Sequence, residues 1–505
     1  MTPAPSPTLP LALLLLLAVP VSAQRAPDAF EVSEWRVPGR AIDAFAARGE
    51  DGRETVFAIS LVGSPPGEQR YLTELPRNLA QAARPVAVPA DVVVVDAAEL
   101  GLAPGPELVL LSARRLRVLS ADGAPLAEQP IDPALPLPAR TWELSRAELV
   151  RDWDSDGRPE ALVPSAEGAR LLPFVAGDGV QELSLPLLAD YGSPTLDNYF
   201  RPGVLAGVVS WPMLELADDD GDGRPDLFAA NRYELRVFHA TPEGLPREAT
   251  RVQSFPPFTP EEERRHLAST LLAAVRDLDG DRRADLVVHR MVGELTRSRS
   301  TTTVHLNPGS GSDPLAVPSA RLDLVGGNAV LRLDDVDGDG RLELLEAYLG
   351  FGVVQLVRML TLRRVELRLR VLTLPIDGAS APTATWSDHV SFPFDFGTTR
   401  VRGLLPFTEA DWNADGRRDL CWGDDSGLLR FRLGEANAAG PRFGPIAAEV
   451  ELSIAGDLLA ADLDGDELPD FVAFDPLDGE GRLRIGHNRG VLRGTPPSVR
   501  SSPER

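Results

Sequence analysis

Asp218-Asp219-Asp220-Gly221-Asp222-Gly223-Arg224-Pro225-Asp226-Leu227 is the stretch whose reading decides the fold. Carboxylates stand at positions one, three, five and nine of the loop (Asp218, Asp220, Asp222, Asp226). Gly223 at position six permits a sharp turn, and Arg224 at position seven offers a backbone carbonyl. When such a backbone curls, the alternate side chains converge, and the last carboxylate can bind through both oxygens. Two carboxylates about 6 Å apart repel by roughly 3 kcal/mol at an effective dielectric near 20, so the cluster predicts a cation. Oxygen-only ligation by roughly six or seven donors suits a hard, fairly large ion, calcium before magnesium.

The pattern recurs. Asp152, Asp154, Asp156, Arg158 and Glu160 form one such set, and Asp335, Asp337, Asp339, Arg341 and Glu343 another. Asp411, Asn413, Asp415, Arg417 and Asp419 substitute one neutral oxygen donor. Asp277, Asp279, Asp281, Arg283 and Asp285 carry Arg282 at the glycine position, and Asp462, Asp464, Asp466, Leu468 and Asp470 carry Glu467 there. Weaker or altered binding is expected in these last two loops. Position seven would contribute its main-chain carbonyl in every case.

Each loop lies between short apolar runs, such as Thr270–Val275 before and Leu286–Val288 after, and alternating stretches such as Leu235-Arg236-Val237-Phe238 follow. That is strand, acidic loop, strand, turn, strand. The loops recur at intervals of 51 to 76 residues. A period of this size with about four strands per unit predicts the blades of an all-β propeller. Two degenerate units precede the six loops, one around Asp43 to Phe57 and one centred on Asp96. The expected count is eight blades, or seven if the first unit is only a cap. The last unit is one strand short, and Phe30–Val37 can supply it and close the ring, removing exposed strand edges. Insertions are expected near 189–212, with Tyr191, Tyr199, Phe200 and Trp211, and within 350–400.

An EF-hand needs an acidic group at position twelve. Five loops place Val163, Ala229, Val288, Trp422 or Ala473 there, and only Glu346 fits. The Asp218 loop instead resembles the calcium loop of FG-GAP/VCBS repeat proteins, the family that includes the integrin α-chain propeller. The Asp277, Asp335 and Asp462 loops are similar. The resemblance implies a β-propeller whose loop joins the first two strands of a blade, and an extracellular binding role. Integrin-type Phe-Gly and Gly-Ala-Pro signatures are poorly kept, so the bacterial VCBS branch is the nearer match.

The 505 residues carry a net charge of −24, which excludes a cationic nucleic-acid face. All 51 basic residues are arginine. The apolar run Leu9–Val19 followed by Val21-Ser22-Ala23 reads as a signal peptide over residues 1–23, so export to the periplasm, cell surface or medium is expected. A propeller over 24–493 and a polar tail over 494–505 complete the expected organisation. No span is expected after signal cleavage, because arginines interrupt the apolar segment 353–374. Cys421 is the single cysteine, so no intramolecular disulfide can form, and metal is an alternative staple. The six histidines show no metal-ligand spacing, and no nucleophile elbow or phosphate loop occurs. The expectation is a monomeric, non-catalytic, calcium-binding scaffold for a protein or glycan partner. The alternative is a secreted propeller enzyme acting on polysaccharide.

Overall fold

The computed structural model describes residues 29–492, apart from 50–51, 65–66, 77–83, 132–143, 166–167, 175–178, 193–205, 265–267, 294–297, 308, 310–314, 316, 351, 375–381, 398–399, 425 and 453–455. The expected signal peptide and polar tail, Tyr199 and Phe200 thus lie outside the described residues.

Eight antiparallel sheets of at least four strands follow one another as the blades of a β-propeller. Blade 1 runs Arg40–Arg48, Glu54–Val62, Gln69–Glu74 and Pro85–Val88, and blade 2 starts at Val92–Ala98. Blades 3 to 7 start at Val150–Arg151, Met213–Ala217, Ala268–Arg276, Gly327–Asp334 and Leu404–Phe407. First strands touch between blades 1 and 2, 2 and 3, 4 and 5, 5 and 6, 7 and 8, and 8 and 1, which places them around the central axis.

Blade 8 closes the ring. Its inner strands are Asp457–Ala461, Asp470–Phe474 and Arg482–Asn488, and its outer strand is Phe30–Arg36 from the other end of the chain. Phe30 pairs with Asn488 and Arg36 with Arg482 in unbroken antiparallel register. The eight-blade expectation and the closing strand are both borne out.

Strand alternation explains the packing. Successive side chains point to opposite faces of a sheet, so each blade presents one apolar row to either neighbour. The buried side chains accordingly form eight clusters, one between each pair of adjacent blades. The seam between blades 7 and 8 is aromatic: Phe30 stacks on Phe431 at 4.8 Å and meets Trp412 edge-on at 5.8 Å. Among the described residues, Leu278, Val287, Val304 and Ala320 are the buried apolar residues of the cluster between blades 5 and 6.

The two expected insertions take definite form. Leu188–Gly192 and Ala206–Ser210 make a hairpin between blades 3 and 4. In blade 6 a helix, Val353–Leu362, separates the second strand, Glu343–Gly350, from the third, Arg364–Thr373. Among the described residues no helix is long and apolar enough to cross a membrane.

Asp96 does not sit in a loop. It is buried within the first strand of blade 2, and its carboxylate accepts the amides of Leu149 and Val150 in blade 3 at 2.8 and 3.0 Å. The turn of that unit follows it, at 99–106.

Because Phe30 bridges both chain ends, Phe30→Ala should cost about 3–5 kcal/mol in equilibrium denaturation. Glu31→Ala, which removes an exposed side chain paired with Arg489, should leave the denaturation midpoint unchanged within error.

Candidate metal centres

Six loops join the first and second strands of blades 3 to 8 and share an internal geometry, except that position one accepts the amides of positions five and six in the Asp152 and Asp411 loops and of positions four and six in the others. The position-one carboxylate accepts two amides. In the Asp218 loop these are Gly221 N–H at 2.7 Å and Gly223 N–H at 2.8 Å. Position three accepts the amide of position five, and position five that of position seven, as in Asp220 to Asp222 at 3.0 Å and Asp222 to Arg224 at 2.8 Å. The position-seven amide does the same in the other loops, from Arg158, Arg283, Arg341, Arg417 and Leu468. These turns bend the acidic side chains around a common centre.

In five loops the structure gathers acidic oxygens within 4.8 Å of one another. The sets are Asp152, Asp154, Asp156 and Glu160; Asp218, Asp220 and Asp222; Asp277, Asp279 and Asp285; Asp335, Asp337 and Asp339; and Asp464 and Asp470 with His487. In the fifth loop of the chain Asn413 Nδ2 donates to Asp415 Oδ2 at 3.1 Å, and Asp411 accepts the amides of Asp415 and Gly416. Such oxygen-rich sets can hold a metal ion.

Every loop needs two left-handed residues, not one. Positions four and six have positive φ throughout: Ser155 and Gly157, Gly221 and Gly223, Gly280 and Arg282, Gly338 and Gly340, Ala414 and Gly416, Gly465 and Glu467. Arg282 (φ 70°) and Glu467 (φ 66°) hold the same turn as glycine, and their amides reach the position-one carboxylate at 2.9 and 3.1 Å. Their backbone is therefore strained but not redirected. Ser155 and Ala414 carry equivalent strain in loops that look complete by sequence.

Position nine has a second job. One oxygen of each position-nine carboxylate accepts the amide of position two in all six loops: Trp153, Asp219, Leu278, Val336, Trp412 and Leu463 donate at 2.7–3.2 Å. In the four aspartates the other oxygen accepts an amide just beyond or at the end of the third strand, from Ala240, Asn307, Gly434 or Asn488, each at 2.8 Å. The blades without a full acidic loop keep the acid. Glu107 of blade 2 accepts the amides of Leu100, Leu102 and Ala103, and Glu54 of blade 1 accepts the amide of Asp462 in blade 8.

Burial pushes five of the position-nine carboxyls up, and nearby acids add to the effect in most of these loops. Glu160 and Asp419 reach about 8, Glu343 about 7, and Asp226 and Asp285 about 6. A bound cation would oppose this trend by favouring the ionised form.

Neighbouring loops are tied together. Ala284 N–H donates to the Asp218 carbonyl at 2.6 Å, and Arg418 N–H to that of Asp335 at 2.9 Å. Arg417 lies across Gly338 and donates to the Asp337 carbonyl at 3.0 Å. Asn307 and Asn488, at equivalent places, donate from their side chains to the position-two carbonyls of the preceding blade, Asp219 and Trp412, at 2.9 and 2.8 Å.

Three further groups join the sites without a sequence signal that singled them out. Asp219 replaces the apolar plug of the other loops. It is buried and meets Arg251 at 2.7 Å and His239 at 2.9 Å. His487 Nδ1 stands 3.2 Å from Asp470. Both histidines directly precede the residue whose amide binds position nine, and that shared register is the signal that could have found them. Their acidic neighbours raise both imidazole pKa values. Glu346, the one acid at position twelve, faces away from the ion set and pairs with Arg370 in the blade 5–blade 6 seam.

No protein-family model and no curated protein sequence matches the chain. Among solved structures it is similar to the V. cholerae biofilm matrix protein Bap1, at 12% identity and a TM-score of 0.39 over 91% of this chain and 89% of that one. It is also similar to BBS1N in complex with ARL6DN, at 11% identity and a TM-score of 0.35 over 79% of this chain and 94% of that one.

Two outcomes are expected from this geometry. Relief of left-handed strain at Ala414 is worth about 1–2 kcal/mol, and the added backbone entropy of glycine removes roughly 0.5–1, so Ala414→Gly should stabilise by about 0.5–1 kcal/mol in denaturant titration. In EDTA the raised carboxyls bind protons in the folded state that the unfolded chain releases near pH 4. Their stabilising contribution is full below that pH and is lost as pH rises towards about 8, through the folded values of Glu160 and Asp419. The melting temperature in EDTA should therefore fall between pH 5 and pH 8, and added calcium at pH 8 should restore it.

Proposed function

We propose that the chain is an exported, calcium-stabilised propeller of the FG-GAP/VCBS type that binds a protein or glycan partner without catalysing a reaction. The observation that carries this reading is the repetition. Six loops of closely similar hydrogen bonding place clusters of oxygen donors on the same face, a chemistry suited to a hard divalent cation. Calcium at six sites would lower the formal charge from −24 to −12. It would also staple a chain whose single thiol, Cys421, is buried and pushed well above its ordinary pKa.

The acidic-loop face offers a place for a partner. A cavity of about 650 Å³ opens beside the inner strands of blades 7, 8 and 1. Arg48, Arg53 and Arg418 line it with Glu54, Glu409 and Glu467, and neither histidine nor tyrosine is among its lining residues. Its mixed charges can meet the polar or charged groups of a partner. The apolar N-terminal run supports export.

At millimolar calcium and an assumed dissociation constant of about 10 μM, each site adds roughly 2.7 kcal/mol by mass action. Elemental analysis of the purified chain should find bound calcium, and EDTA should lower the melting temperature by several degrees or more. The combined Asp220→Ala and Asp222→Ala variant should lose about one ion per chain. No bound calcium together with an unchanged melt in EDTA would overturn the reading.

A further inference from the structure

We propose that calcium binding is positively coupled within two pairs of loops, those of blades 4 and 5 and those of blades 6 and 7, through one shared peptide group in each pair. The proposal rests on the calcium-scaffold reading and adds how its sites act on one another.

The peptide between positions seven and eight serves two loops. It is Arg283–Ala284 in blade 5 and Arg417–Arg418 in blade 7. Its carbonyl is the main-chain donor that position seven would contribute to an ion of its own loop. Its N–H belongs to position eight and reaches the preceding blade. Arg418 donates to the Asp335 carbonyl at 2.9 Å, and Ala284 donates to the Asp218 carbonyl at 2.6 Å. Both acceptors are position-one residues, whose carboxylates belong to the oxygen clusters of blades 6 and 4. One hydrogen bond thus joins the ligating peptide of one loop to a ligating residue of its neighbour.

The position-seven arginine reinforces each joint. Arg417 Nε donates to the Asp337 carbonyl at 3.0 Å, and its side chain lies across Gly338. Arg283 lies across Gly221 in the same way. A Cβ at Gly338 or Gly221 would stand 3.1 or 3.2 Å from these arginine side chains, so the close approach favours glycine at both places.

Proline marks where the joint is missing. Position eight is Pro159, Pro225 and Pro469 in the loops of blades 3, 4 and 8, and proline has no N–H to give. Blade 6 has Leu342 there, but among the described residues its amide makes no bond to the Asp277 loop. The six loops therefore divide into two joined pairs and two loops, in blades 3 and 8, without this joint.

Peptide polarity sets the sign. A cation drawing on a carbonyl makes the N–H of the same peptide a better donor, and bonds in such a chain strengthen one another. The carbonyl held by that N–H in turn fixes the residue whose carboxylate ligates the neighbouring ion. Each ion favours the other, and the coupling is equal in both directions.

The test is calcium binding by the purified chain, measured by equilibrium dialysis across a range of free calcium. The proteins are the parent, Asp337→Ala/Asp339→Ala, Arg418→Pro and the combination of all three changes. The blade 6 variant should lose about one ion, and one further site should weaken about fivefold or more. Arg418→Pro copies the residue found in three other loops and removes only the joint's donor and an exposed side chain. Two of its sites should be weaker from the start, and adding Asp337→Ala/Asp339→Ala should then remove one ion without weakening another. Arg418→Ala, which keeps the amide, should bind calcium as the parent does. Loss of one ion with no weakening elsewhere would overturn the coupling and leave the calcium reading intact. The same weakening in the proline background would also overturn it. A parent with no bound calcium would overturn both readings. The parent and the blade 6 variant decide the question by themselves if Arg418→Pro does not fold.

Discussion

A buried carboxylate at the start of the second strand is the constraint on which this propeller depends. It stands there in seven blades, as Glu107, Glu160, Asp226, Asp285, Glu343, Asp419 (one residue ahead of its strand) and Asp470, and blade 1 has the half-buried Glu54 at that place. In the four aspartate cases one oxygen fixes the first turn and the other fixes the third strand, so a single side chain sets three strands of the blade. A buried charge is costly unless it is hydrogen-bonded and paired. The amide bonds satisfy part of the cost, and a proton or a cation must satisfy the rest. In the loops whose position-nine acid joins the oxygen cluster, such as Glu160 and Asp285, a bound ion would be linked to blade formation through the same atoms. Blade 2 separates the two roles. Glu107 makes three amide bonds, while the position-three and position-five places in its turn are Gly101 and Ala103. The clamp persists where the ion set is gone.

What was legible in the sequence was whatever is local. Acidic spacing, apolar flanks and a period near sixty residues are nearest-neighbour facts, and they were enough for eight blades and for Phe30–Arg36 as the closing strand. Less legible were properties set by backbone dihedrals and by other blades. Arg282 and Glu467 looked like defects because glycine was sought at position six alone, yet position four bears the same left-handed demand and is met by Ser155 and Ala414 elsewhere. Asp96 looked like a loop remnant because an aspartate after Val92–Val95 resembles the start of a turn. Its true partners, the Leu149 and Val150 amides, lie more than fifty residues away. Asp219, His239 and His487 join the sites through the third strand or the next blade, and no spacing rule within a loop reports that.

The polar contents of the seams follow the same logic. Between blades 7 and 8 the aromatic cluster around Trp412 needs no polar help. Between blades 5 and 6, His289 with Thr302 and Glu346 are buried beside the apolar cluster, and half-buried Arg370 pairs with Glu346. Burial lowers the His289 pKa, which keeps the imidazole neutral in a seam that already holds an ion pair. The fixed hydrogen-bond geometry of these groups depends on the loops that hold the two blades in register.

Antiparallel blades also sort the chemistry by end. Every first turn falls on one face of the ring, so six acidic loops concentrate charge there without any long-range instruction in the chain. The other end receives the second-to-third turns and the connections between blades, and it is there that the chain carries its hairpin, Leu188–Gly192 with Ala206–Ser210, and its exposed helix. Insertions at that end leave the clamps untouched, since each clamp involves only the first turn, the second-strand start and the third-strand end. A long insertion inside an acidic loop would instead separate position two from position nine and release the strand. The same carboxylate that fixes each blade thus also decides which face is free to diversify, and a binding surface can be added at one end while the other stays committed to holding the ring together.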